Sequence, residues 1–245
     1  MEQQNYQYQD NTVFVQEGTV SKKFFANVFL WMFVALAIST LAAYFINSSS
    51  EARSYLINDG ARTTLGTVAM FAPLALVLLM GAGFNRLSFG ALLGVFILFS
   101  VLLGISLSYI LYIYNESSVV GCFAAATGIF GIMAVLGYTT DVDLSKFGPI
   151  LMVGLVGLII ASVVNWFLQS AQFDYIMSFF GVALFTALTA YDVQKIKRIG
   201  LGIEANGDQI VAADSQKLAI MSALTLYLDF LNIFLFLLRI FGGRK

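Results

Sequence analysis

Seven long apolar runs, separated by polar connections, dictate what this chain can become. They lie at about 24–46, 64–84, 87–114, 118–138, 147–168, 175–196 and 218–241. Each is near the roughly 20 residues that an α-helix needs to cross the hydrocarbon of a bilayer. They alternate too little, and run too long, for the about 10-residue strands of an outer-membrane barrel. The expected class is an all-α membrane protein with seven transmembrane helices. Composition agrees: 11% of the residues are charged, where a soluble domain carries about 25%.

The runs also set the domain organisation. Residues 1–23 are polar, rich in Gln, Asn and Tyr, and read as a flexible amino-terminal tail. The run that follows is about twice the length of a signal-peptide core, so a retained span is expected. Residues 24–243 then form a single transmembrane domain. Most connections leave room only for tight turns, whereas 47–63 and 197–217 are long enough for surface loops. The second loop carries Asn206-Gly207-Asp208, a turn signal. The last run holds Asp229 and could be a re-entrant or central element instead of a lipid-facing span.

Several chemistries lack material. The chain has no histidine and one cysteine, Cys122, so no zinc site, haem site, Ser-His-Asp triad or disulfide framework is expected. No cofactor is expected. No basic stripe with interleaved aromatics points to nucleic acid. With the amino terminus in the cytoplasm, the cytoplasmic flanks would hold Lys22, Lys23, Arg86, Lys146, Lys195, Lys197, Arg198 and Lys217. The outer flanks would hold Arg53, Arg62, Arg239, Arg244 and Lys245. That bias favours an amino terminus inside and a carboxyl terminus outside.

Two acids are out of place in so apolar a chain. An ionised aspartate at the bilayer centre costs roughly 2.5–3.5 kcal/mol on insertion scales, so such groups pair and mark pathways. Asp229 belongs to a stripe with Ser222, Thr225 and Asn232, spaced by three, four and three residues, which shares one helix face. In the sixth run Thr186, Thr189 and Asp192 form a shorter polar edge. If the two edges face each other, the carboxyl groups share a site and hold one proton between them over some pH range. The pair is then a proton-operated switch. Arg86, between the second and third runs, is on the same expected side as Asp192 and is a candidate counter-ion. The structural alternative pairs Asp192 with Lys195 or Lys197 at the interface and leaves Asp229 bonded to neighbouring hydroxyls. In the third run Ser100, Gly104 and Ser108, with Gly90 and Gly94, make a small-residue face for close helix packing, or the lining of a groove.

The segments LYLDFLNIFLFLLRI (226–240) and FTALTAYDVQKIK (185–197), with GISLSYI (104–110), closely resemble the Bax inhibitor-1 family, over about 24–243. The resemblance implies two three-helix layers around a central carboxy-terminal helix, which would shelter Asp229 from lipid. It further implies that Asp192 and Asp229 are a paired-aspartate pH sensor gating a calcium leak, with Arg86 as a latch. Two departures stand out: Tyr109 occupies a place where relatives often have proline, and the 47–63 loop is long and could add an outer cap.

The leading expectation is therefore a pH-sensitive cation leak in a bacterial inner membrane, with calcium in transit and the bilayer as its surroundings. A second reading is a non-transporting regulator of a membrane protease or stress response, which would need a membrane-protein partner. The enzymatic rival is an intramembrane aspartyl protease, because Tyr191-Asp192 is the dipeptide such enzymes use. Asp229 lacks the Gly-x-Gly of their second motif, and no enzyme is expected.

Overall fold

The computed structural model describes residues 18–58, 61–206 and 212–245. Among the described residues seven helices are long and apolar enough to cross a membrane. They are α1 (Thr19–Ser48), α3 (Thr64–Gly83), α4 (Phe89–Ile113), α5 (Glu116–Thr139), α6 (Gly148–Leu168), α7 (Ala171–Asn206) and α8 (Ala212–Phe241). A short α2 (Ser50–Ser54) and a two-stranded hairpin, β1 (Ile57–Asn58) and β2 (Ala61–Arg62), lie between α1 and α3. Short polar caps start several helices. Thr63 Oγ1 accepts from the Gly66 amide at 3.0 Å and Ser88 Oγ from Ala91 at 3.3 Å, each satisfying one of the unpaired first-turn N–H groups.

The helices form two layers about one centre. α4 packs on both α1 and α3, and α7 packs on both α5 and α6. α8 touches α1, α4, α5 and α7, and 72% of its most apolar stretch is buried, against none in α6's. That difference makes α8 the core helix and α6 a peripheral one. The outer faces carry exposed Phe33, Phe45, Ile150, Val153 and Phe167, which suits contact with acyl chains and would be unstable in water.

Close approach of helices within each layer depends on two glycines. A Cβ on Gly104 would strike the Ser39 carbonyl of α1, and one on Gly137 the Ala190 backbone of α7. Ser100, on the Gly104 face, is buried in the same α1–α4 seam, its carbonyl 2.7 Å from Ser39 Oγ, whereas buried Ser108 borders Ala69 of α3. Gly90 and Gly94 instead have open space where a side chain would go, so they take no part in that seam.

The seven apolar runs become the seven long helices, with two differences at the ends. α1 starts at Thr19, inside the stretch read as a tail; residues 1–17 lie outside the described ones. α7 continues to Asn206, so most of what reads as a long 197–217 loop is helix, and Gly207 and Asp208 of the turn signal lie outside the described residues. At 1.5 Å per residue a 36-residue helix is about 54 Å long, well beyond roughly 30 Å of hydrocarbon. The extension is held by Ile196, Gly200 and Ile203, buried at helical spacing. Gly200 lies against Ser21 and Phe24 of α1. Glu204 also accepts the Gly18 amide at 2.9 Å.

The 47–63 connection forms a cap. Leu56 and Ile57 pack with Ala69 against Ile46, Ile105, Tyr109 and Tyr112, and the Arg62 guanidinium sits 3.9 Å over the Tyr109 ring. Tyr109 lies in an unbroken α4 and gives the cap its seat.

Candidate functional site

α7 and α8 run antiparallel, and their register can be read from side-chain contacts. The Phe185 and Phe236 rings are 6.0 Å apart, and the Asp192 and Asp229 carboxyl groups lie within hydrogen-bond reach of each other. Both aspartates are buried, at 8% and 4% exposure. Asp229 Oδ2 has no hydrogen-bond partner among the described residues, nor has Thr186 Oγ1. Orphaned buried polar atoms are uncommon in native proteins and ask for an explanation. Two carboxyl groups this close can satisfy one another only when one of them carries a proton.

The polar stripes take their places around this pair. Thr189 is buried and donates to the Phe185 carbonyl at 2.8 Å; in the register set by the two contacts Thr189 lies at the level of Asn232 and Thr186 at that of Leu235. Asn232 donates to Leu228 O at 2.8 Å and Thr225 to Met221 O at 3.1 Å. Ser222 is buried one turn further toward the amino-terminal end of α8. The hydroxyls of Thr189 and Thr225 thus return to their own helix backbone, which leaves their acceptor lone pairs available.

Arg86 is not brought to the pair. It is exposed in the turn between α3 and α4, and the cation that acts on Asp192 is Lys195, three residues along α7. The level of the turn explains the separation. Lys217 of α8 donates to the Phe84 carbonyl at 3.3 Å, and Asp229 lies twelve residues deeper, about 18 Å at 1.5 Å per residue. Arg239, at the other end of α8, pairs with Asp174 at 3.3 Å.

Two polar nodes near the pair escape sequence reasoning. The first joins three helices: Tyr227, fully buried, hydrogen-bonds Ser39 of α1, and Ser39 Oγ lies 2.7 Å from the Ser100 carbonyl of α4 and 2.9 Å from Ala35 O. A hydroxyl has one proton, so Ser39 donates to a carbonyl and accepts from Tyr227. Tyr227 stands two residues before Asp229, on another face of α8. Its presence in the polar-bearing segment was visible in sequence, but not its partner.

The second node fastens the α5–α6 connection to α7. Buried Gln194 accepts from the Leu144 amide and donates to the Val142 carbonyl, both at 2.8 Å. Arg198 bonds Gln194 at 3.0 Å and pairs with Asp143. The Arg198 guanidinium, helped by the Ser145 hydroxyl and amide, holds the Asp143 carboxyl well below the usual carboxylate range. Lys197 donates to the Tyr138 carbonyl at 3.0 Å and sits 4.7 Å over its ring. Asp192 is therefore on a helix whose next turn is anchored at several points.

Among the described residues there is no group of three or more His, Cys, Asp or Glu that could hold a metal ion. Two carboxyl groups fall well short of the six to eight oxygens of a tight calcium site.

Comparison with known proteins gives a consistent set of relatives. Residues 21–245 match the family model described as inhibitor of apoptosis-promoting Bax1. The chain is 38% identical over 231 residues to inner membrane protein YbhL of Escherichia coli (strain K12), covering 94% of this chain and 96% of the relative. A protein of Borreliella burgdorferi is 36% identical over 233 residues, covering 94% and 96%. Protein RP147 of Rickettsia prowazekii is 37% identical over 224 residues, covering 91% of each.

Proposed function

The chain belongs to the Bax inhibitor-1 family of membrane proteins, and from that premise and the buried carboxyl pair we propose that it is a pH-sensitive cation leak, with calcium the favoured ion. The single observation that carries this reading is the Asp192–Asp229 contact, buried between α7 and α8, with an orphaned Asp229 oxygen. With one proton, the pair is a clasp that ties α7 to the core helix. With none, two adjacent anions repel one another or recruit a cation, so proton loss favours separation of α7 from α8 and an attractive site for calcium. Thr186, Thr189, Thr225, Ser222 and Asn232 would supply weak oxygen ligands above and below the pair. Weak, incomplete ligation suits passage better than storage. Arg86 would serve as counter-ion only after the α3–α4 turn moves inward.

By analogy with YbhL the protein is placed in a bacterial inner membrane, with the amino-terminal end of the bundle in the cytoplasm because the larger share of Lys and Arg is there. No catalytic role is assigned. Calcium efflux from proteoliposomes at several pH values tests the proposal, comparing the unmodified protein with Asp192→Asn and Asp229→Asn. Efflux above that of empty liposomes, with the pH response lost in both variants, is expected. Unchanged efflux and pH response in both would refute it.

The second reading, a non-transporting regulator of a membrane protease or stress response, is supported by the family and not by the geometry of the pair. Removal of residues 1–20 separates the two: lost capture of a membrane partner with normal efflux favours the regulator. A protease would cleave a helical membrane substrate, and either Asp→Asn change would abolish the cleavage.

A further inference from the structure

α1 and α5 both lean on α8, yet toward the membrane they stand apart and leave a furrow. Its larger part has a volume of about 990 Å³ and is walled by Phe25–Leu41 on α1 and Phe123–Thr139 on α5, with Phe230 of α8 as floor. A smaller lobe of about 290 Å³ continues past Thr40 and Ser39 to Tyr44, floored by Leu231 and Phe234. Leu36, Thr40 and Phe123 border both, so the two are one channel in the surface. From Phe25 to Tyr44 is nineteen residues, about 28 Å of helix, close to the roughly 30 Å thickness of hydrocarbon.

The lining says what fits. It is almost wholly apolar, and the Thr127 and Thr139 hydroxyls on its α5 wall donate to their own helix, to Phe123 O and Val135 O at 2.8 Å each. A dry occupant therefore leaves neither donor unpaired. An acyl chain is slender enough to lie along it and brings no polar group that the apolar walls would leave unpaired. At the amino-terminal end Lys22 shares its α1 face with Phe25 and Ala26, one turn on. Lys22 and Lys23 are exposed and have no acidic partner among the described residues. That places positive charge where the headgroup of a lipid lying in the furrow would be.

We infer that the α1–α5 furrow is a binding site for one anionic phospholipid, its acyl chain lying against Phe230 of the core helix and its phosphate met by Lys22. The site is independent of proton sensing by the aspartates. A lipid in it sits on Phe230 of α8, one residue from Asp229.

The test uses the full chain in nanodiscs containing phosphatidylglycerol with a photoreactive diazirine in its acyl chain, and maps labelled peptides by mass spectrometry. Several-fold enrichment of label on residues 25–41 and 123–139 over the exposed faces of α3 and α6 is expected. Gly131→Phe and Ala37→Phe fill the furrow from either wall; Gly131 has open space for a side chain and Ala37 is exposed. Each should cut that label several-fold, while Gly157→Phe, at an open position on peripheral α6, leaves it unchanged. Lys22→Ala with Lys23→Ala should bring labelling by phosphatidylglycerol down to that by phosphatidylcholine. Even labelling of all lipid-facing helices in the unmodified protein overturns the inference. So does label from phosphatidylcholine equal to that from phosphatidylglycerol before any substitution, or a second copy cross-linked through the furrow in place of lipid.

Discussion

Removal of either hydroxyl from the Ser39–Tyr227 node should have unequal cost, because the two play different parts. Tyr227→Phe deletes the donor and leaves Ser39 with its own proton still given to the Ser100 or Ala35 carbonyl at 2.7 or 2.9 Å. Nothing buried is orphaned, so the loss is that of one intramembrane hydrogen bond, about 0.6 kcal/mol on average and at most about 1.7. Ser39→Ala instead strands the phenol of a fully buried tyrosine, and an unsatisfied buried donor costs about 1–3 kcal/mol. The double variant removes both partners and should fall near Tyr227→Phe alone, which makes the coupling energy close to the penalty for the stranded phenol. Reversible unfolding of the four proteins in lipid bicelles measures this cycle. If Tyr227→Phe costs more than Ser39→Ala, or if the two simply add, the donor assignment and the stated role of the node are wrong.

Other consequences follow from the same geometry. Gly104→Ala should destabilise the bundle by about 1–3 kcal/mol, since its Cβ meets backbone that cannot move cheaply. Gly94→Ala should be neutral within about 0.5 kcal/mol, as expected where nothing is touched; equal effects in thermal unfolding would refute the assignment of the α1–α4 seam. Asp143 is held below its ordinary value in the folded state, so its pairing contributes fully above about pH 4 and is lost as pH falls further. Hydrogen exchange of residues 140–147 should be insensitive to pH-linked loosening between pH 5 and 8 and rise only in stronger acid. Asp143→Asn should accordingly leave any pH response of efflux in that range intact.

Much of the fold was legible because a bilayer enforces it. Runs of about 20 apolar residues have one stable form in hydrocarbon, and seven runs gave seven helices. What lies outside hydrocarbon was less legible. The stretch after Ile196 looks like a loop because it is charged, yet Gly200 packs on α1 and Ile203 is buried, which keeps it helical. The Asp192–Asp229 contact could be anticipated, since buried acids need partners and both lie on polar helix edges. The Ser39–Tyr227 bond could not: Ser39 is one short hydroxyl beside Thr40 in an apolar run, and its partner is 188 positions away. Arg86 shows the limit of assigning residues to a side of the membrane. Sharing a side with Asp192 says nothing about depth, and the tie from Lys217 to Phe84 holds that turn away from the pair.

The central claim is that Asp192 and Asp229 act as one unit controlling cation passage. Its most direct test is calcium efflux from proteoliposomes between pH 5 and 8 for the unmodified protein, Asp192→Asn, Asp229→Asn and the double variant. The account predicts a pH-dependent efflux that each single substitution flattens, with the double variant no different from the singles. A pH response that survives either substitution, or single effects that multiply in the double variant, would contradict it.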